Sequence, residues 1–296
     1  VSVAVVTDST AYLPDELIEG YGIHVVPLYV VLAGHSGREG WDIGPGDVAR
    51  ALAARGHSVS TSRPTPGDFV AAYRRALAEG ADRLVSLHLS SELSGTWDAA
   101  RLAASQVGEH IVTVVDTRSA AMGAGFAVLA AARSAAAGAD AATVARTAQE
   151  IADATRTFFV VDTLEHLRRG GRIGSAAAVL GSALAVKPVL HVQDGRVVPL
   201  EKVRTTTRAL HRLVQRAVEA AGQGPVSIAV HHLAAPEKAA RLAAEIRERL
   251  PQVRELHVSE LGAAIGAHVG PGAVGIVVAP FWREPDEETH SEPPED

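Results

Sequence analysis

Hydroxyl side chains gather at three places in this chain: Thr7-Asp8-Ser9-Thr10, Ser60-Thr61-Ser62, and Ser90-Ser91 through Ser94-Gly95-Thr96. Hydroxyls both donate and accept hydrogen bonds, so each cluster can meet an anionic head group. The third is the most informative. Ser94 and Gly95 stand between a strand-like run and the start of a helical pattern, where unpaired backbone N–H groups and the helix dipole favour a carboxylate or a phosphate. A plain helix cap at Ser94 or Thr96 fits the same position, and the pattern does not choose between the two. Thr65-Pro66-Gly67-Asp68 has a structural meaning, with Thr65 as N-cap, Pro66 at the first helical position and Asp68 completing a capping box. Its work would be to hold the preceding Thr61-Ser62 loop rigid against the sheet, and Thr61 itself stays a candidate.

Two further stretches bring nitrogen. Gly262 to Gly275 formally contains G-x-G-x-x-G at Gly270, Gly272 and Gly275. That fingerprint must follow a strand and open a helix, whereas here it runs into the strand-like Val274 to Val278, so a dinucleotide site is rejected. What remains is a glycine-rich loop presenting His268. Arg168-Arg169-Gly170-Gly171-Arg172 sets cations on a glycine turn, and Arg204 follows a hairpin. Arginine forks suit carboxylate, phosphate or a partner protein, and a solvated basic surface gives the same pattern. Other chemistries lack their usual signatures, which for a serine hydrolase weakens the reading without eliminating it. The chain contains no G-x-x-x-x-G-K-[ST] phosphate loop, no H-E-x-x-H metal pair and no G-x-S-x-G nucleophile elbow. His231 and His232 are adjacent and point apart on a strand, which is poor geometry for one metal.

These residues need a scaffold, and the pattern supplies one. Val3 to Thr7, Val25 to Val31 (interrupted by Pro27), Arg83 to Leu89 and Ile111 to Val115 read as strands. Between and after them, Leu13 to Gly20, Asp47 to Ala54, Pro66 to Ala78, Thr96 to Val107, Ser119 to Ala137 and Ala141 to Ala154 read as helices. Strands alternating with helices predict an α/β fold whose first sheet is mostly parallel. The pattern changes near residue 156. Thr157 to Val161 reads as a strand and Leu164 to Arg169 as a helical turn, and Val189 to Gln193 and Val197 to Lys202 flank Asp194-Gly195, a strong hairpin signal. Crossover helices and a last strand, Gly275 to Ala279, then predict a mixed sheet. The expected organisation is two α/β domains, residues 1–155 and 156–283, with a ligand pocket between them. An acidic tail without apolar periodicity, residues 284–296, reads as disordered.

Composition narrows the partners. Of 296 residues 47% are hydrophobic but only 4% aromatic, so the core is built from small and branched side chains. The formal net charge of −6 argues against nucleic acid or an anionic membrane as the main partner, leaving at most transient membrane contact. The absence of cysteine removes disulfides, thiolate metal sites and cysteine nucleophiles, and fits a cytoplasmic home. Val1 to Thr10 reads as a strand rather than a secretory signal, and the longest uncharged apolar window, Ile23 to Ala33, is far short of the ~20 residues that span a bilayer.

Taken in register, the chain resembles the DegV family, the fatty-acid-binding proteins that serve bacterial fatty acid kinase. The matching stretches are Thr7 to Thr10, Thr61 to Phe69, Ser90 to Thr96, Thr163 to Leu167 with Arg169 to Ile173, Lys187 to Leu190, Glu201 to Thr205 and Gly266 to Gly272, spread in order over residues 1–280. The resemblance implies a long-chain fatty acid in a buried tunnel, its carboxylate held by Thr61, Ser62, Ser94, Gly95 and His268. It also implies a separate ATP-binding kinase that converts the presented carboxylate to an acyl phosphate, with Arg172 and Arg204 serving presentation or kinase docking. On this reading the chain binds lipid, needs no cofactor and catalyses nothing itself. The alternative is an enzyme, either a Ser94–His268 esterase with Asp8 as a conceivable third member, or a small-molecule phosphotransferase.

Overall fold

The computed structural model describes residues 1–54, 58–173 and 187–283. The predicted acidic tail lies outside the described residues. A four-stranded parallel sheet occupies the first part, in the order β2-β1-β6-β7, built from β1 (Val3–Asp8), β2 (His24–Val26), β6 (Arg83–His88) and β7 (Val112–Asp116). Its valine-rich strands are buried on both faces, as parallel strands covered by helices must be. A six-stranded mixed sheet follows, in the order β10-β9-β8-β13-β11-β12, made of β8 (Arg156–Val160), β9 (Lys187–Gln193), β10 (Arg196–Val203), β11 (Val226–His232), β12 (Val253–Glu260) and β13 (Val274–Pro280). The predicted hairpin is β9–β10, where Asp194 and Gly195 both take positive φ, the turn geometry an Asp-Gly pair favours.

The helices are α1 (Asp15–Gly20), α2 (Pro45–Ala53), α3 (Pro66–Ala78), α4 (Thr96–Val107), α5 (Met122–Ala136), α6 (Ala141–Ala154), α7 (Glu165–Arg169), α8 (Thr206–Ala221), α9 (Pro236–Arg249) and α10 (Ala263–Val269). The α3 start is the predicted capping box. The Asp68 N–H donates to Thr65 Oγ1 at 3.2 Å and the Thr65 N–H to Asp68 Oδ2 at 2.8 Å. α5 is apolar all round and buried along nearly its whole length. Together with α6 it joins one core cluster that draws Val5, Val85 and Leu87 from the parallel sheet and Ala229, Val277 and Ala279 from the mixed sheet. Small residues permit this closeness; a Cβ on Gly125 would lie 2.5 Å from the Ala11 carbonyl oxygen.

Several expectations need correction. Val25 to Val31 is two strands in different sheets, β2 and β3 (Tyr29–Leu32), because Pro27 lacks the N–H needed to continue one ladder. With β4 (His35–Arg38) and β5 (Val59–Ser62), β3 forms a small antiparallel sheet, β4-β3-β5, that the pattern did not announce. Ser60-Thr61-Ser62 is therefore strand β5 and not a loop at a strand end. The helix expected from Ser119 begins at Met122, after Ala121 adopts φ 53°.

Candidate functional site

The face that the mixed sheet turns toward the first half of the chain does not pack shut. A cavity of about 120 Å³ remains, walled by aliphatic side chains such as Leu28, Leu93, Val197, Ile265 and Val277. Polar groups interrupt that wall at a few points, and Thr61, Ser94, Arg172 and His268 are among them. Thr61 comes from β5. Strand alternation turns Thr61 inward and leaves Ser62 exposed. Thr61 Oγ1 and His268 Nε2 share a hydrogen bond of 2.8 Å.

His268 sits in the last turn of α10, not in a glycine-rich loop. The Ala-rich segment forms a helix because its exposed first-turn amides are captured from elsewhere in the fold. The Ala264 N–H donates to Glu39 Oε1 at 2.7 Å and the Ile265 N–H to the Tyr12 hydroxyl oxygen at 3.2 Å. Tyr12 donates in turn to Glu39 Oε1 at 2.9 Å, and Ser9 Oγ to Glu39 Oε2 at 2.5 Å. Burial raises the Glu39 carboxyl above its ordinary range, against the pull of these donors. Burial followed by the neighbouring Glu39 charge pushes the Tyr12 hydroxyl well up. No spacing in the sequence connects Ser9, Tyr12, Glu39 and Ala264, so this cap had no sequence signal.

Arg172 ties the polar group together. Its Nε donates to the Leu93 carbonyl at 3.1 Å, next to Ser94, and its Nη1 donates to the Gly170 carbonyl. Gly170 lies against His268, whose ring would meet any Cβ placed there. Burial, with the Arg172 charge second, lowers the His268 pKa to about 4, so the imidazole is neutral at pH 7. Burial also lowers Arg172 from its ordinary value. Ser94 stands just before α4, one residue ahead of the N-cap. Its Oγ lies 2.9 Å from Thr96 Oγ1, accepts the Thr96 N–H at 3.4 Å, and borders the cavity. Gly95 is the N-cap of α4, its carbonyl accepting from Arg63 at 3.2 Å, and does not line the cavity. Arg204 is exposed in the bend between β10 and α8, outside the lining.

The three side chains considered for an esterase are not linked to one another. Ser94 bonds to Thr96 and His268 to Thr61, while Asp8 is committed elsewhere. Its Oδ1 accepts the Thr10 N–H at 3.0 Å and its Oδ2 meets His88 Nδ1 at 3.0 Å and the Leu89 N–H at 3.1 Å. His231 also lines the cavity, with Nε2 accepting the Met122 N–H at 3.2 Å and Nδ1 beside Ser259 Oγ at 3.1 Å. His232 turns to Glu260, 3.9 Å away, so the two histidines point apart as expected. Among the described residues, no helix is long and apolar enough to cross a membrane.

Fold and site together define an α/β protein with an apolar cavity between two sheets and a cluster of hydroxyl, imidazole and guanidinium groups on its wall. A family model described as "Uncharacterised protein, DegV family" matches residues 2–280. A DegV domain-containing protein of Streptomyces coelicolor is 53% identical over 277 residues, 94% of this chain and 98% of that protein. Protein DegV of Bacillus subtilis is 38% identical over 277 residues, 93% of this chain and 98% of its own length. The chain belongs to the DegV family. Among solved structures, a DegV family protein from Thermus thermophilus described by its fatty acid binding superposes with a TM-score of 0.90 at 37% identity, covering 95% of this chain and 100% of that one. DegV from Bacillus subtilis, described as a fatty acid binding protein, superposes with a TM-score of 0.86 at 37% identity, covering 95% and 99%.

Proposed function

We propose that this chain binds a long-chain fatty acid, acyl chain in the apolar cavity and carboxylate at Thr61, Ser94 and His268, and presents it to a separate ATP-dependent fatty acid kinase for acyl-phosphate formation. The observation that carries the reading is the convergence of Thr61, Ser94, His268 and Arg172 on a cavity otherwise walled by aliphatic groups. Each buried methylene contributes about 0.8 kcal/mol, so a long chain binds tightly through its tail alone. The carboxylate is the costly part of the ligand to bury and needs donors around it. The Thr61 and Ser94 hydroxyls and the Arg172 guanidinium, all on the cavity wall, are such donors. A neutral His268 admits the anion without a preformed ion pair, and the incoming charge raises the imidazole pKa. In this reading residues 1–155 and 156–283 act as two domains and Arg172 and Arg204 serve presentation. The protein works in the cytoplasm without a cofactor or catalysis of its own.

Native mass spectrometry of the purified protein tests the ligand class, and added oleate or palmitate tests an empty preparation. Protein that is consistently empty and binds neither acid would sink the reading. Thr61→Ala and Ser94→Ala should each weaken binding ten- to a hundredfold, the size of about 1.5–3 kcal/mol for a hydrogen bond to a charged group. Unchanged affinity in both variants would remove these residues from the head-group site.

A further inference from the structure

The apolar cavity has a second boundary. Beyond it lies a polar cavity of about 390 Å³ whose lining includes Arg118, Arg156 and Asp194. Thr157 and Val192 line both spaces. They stand opposite each other, one step beyond the paired residues Phe158 and His191 in the antiparallel register of β8 and β9. Neither is fully buried, although each borders the inner cavity. They form a partition one side chain thick between an apolar space and a polar one.

Strand geometry sets this partition away from the carboxylate end. β8 leads through Val161 into α7, and the turn after α7 carries Gly170, beside His268, and Arg172. Thr157 stands four positions before Val161, about 13 Å of extended chain. The partition is also backed firmly on one side. Ser119 Oγ lies 3.5 Å from Thr157 Oγ1, and a Cβ on Gly123, in the first turn of α5, would collide with Ser119 and come within 2.7 Å of Thr157 Oγ1. Thr157 therefore has no room to retreat toward α5. Displacement toward the polar cavity would carry an acyl terminus among arginine and aspartate side chains, where the gain from apolar burial stops.

We propose that the Thr157–Val192 partition sets the longest acyl chain this protein accepts. The inference rests on the fatty-acid reading above and adds to it the residues that measure chain length. Below the limit each added methylene should tighten binding about fourfold. At the limit the gain ends and affinity levels off or falls.

The test is a binding series of saturated acids from lauric to behenic on the wild-type chain and on partition variants. The wild type should show a break in the series. Val192→Ala and Thr157→Ala should move the break one or two carbons longer, and Thr157→Leu should move it shorter. Thr157→Val keeps the volume and removes the hydroxyl, so it should leave the break in place. A break that stays put in the Ala and Leu variants, or affinity that rises steadily through behenic acid in the wild type, overturns the proposal while leaving fatty-acid binding intact. A wild-type chain that binds none of the acids instead defeats the underlying reading. Circular dichroism identifies any variant that does not fold, and the remaining substitutions then decide the outcome.

Discussion

Glu39→Ala is the most revealing single perturbation of this fold. Glu39 is only 2% exposed, and its carboxylate accepts from Ser9 Oγ, Tyr12 Oη and the Ala264 N–H. Removing the acceptor strands these three donors, each costing about 1–3 kcal/mol if it stays unpaired in the interior. Two offsets act. The hydroxyls of Ser9 and Tyr12 can rotate toward other acceptors, and the cost of holding a buried carboxylate, several kcal/mol, disappears with the side chain. The Ala264 amide has no rotation available and stays stranded at the start of α10. A net loss of about 2–4 kcal/mol is expected, a large share of the 5–15 kcal/mol typical of a domain. Urea denaturation measures it as a lower midpoint, and amide hydrogen exchange locates it. The Ala264 and Ile265 amides should exchange faster while α3 and β6 keep their protection. Because α10 carries His268, fatty-acid affinity should fall in the same variant. A loss below about 1 kcal/mol, or unchanged exchange across α10, would refute the claim that Glu39 caps this helix.

Three other outcomes follow from the same structure. Burial holds His231 and His268 near pKa 4, below their ordinary 6.5, so their contribution to stability is full above pH 6.5 and is lost as pH falls toward 4. Each is worth up to about 3 kcal/mol over that window; Glu39, whose pKa is raised, works in the opposite sense, and a flat stability profile across the window would count against buried neutral imidazoles. Thr65→Ala should cost about 1 kcal/mol in a thermal melt by removing the α3 cap, and no shift in melting temperature would deny the capping box its role. A fluorophosphonate probe should leave Ser94 unlabelled, since its hydroxyl bonds to Thr96 rather than to His268; stoichiometric labelling would restore the esterase reading.

What could be read in advance depended on whether the cause was local. The α3 capping box, the Asp194-Gly195 turn and the valine-rich β1 each act through neighbours in the chain, and each was legible. The strand β4 was not, since His35-Ser36-Gly37-Arg38 has no apolar alternation and becomes a strand only by pairing with β3. His268 shows the same limit, because its segment is rich in glycine and its helix depends on Glu39 and Tyr12, more than two hundred residues away. Ser94 and Thr61 stand out in the sequence as hydroxyls in suggestive positions. That Thr61 bonds to His268, 207 residues later, was not visible in any spacing. Ser62 had the same composition-level signal as Thr61, and only the alternation of β5 separates the two.

The place of α5 has a consequence for cooperativity. Its small side chains are shared between the parallel sheet and the mixed sheet, within one continuous apolar cluster. Neither half of the chain can then melt while the other keeps a closed interior, because the loss of either sheet bares a flank of α5 to water. The two domains proposed to meet at residue 155 are then expected to unfold together. Heat should unfold both halves in one transition, and a fragment ending at residue 155 should expose the sticky face of this helix.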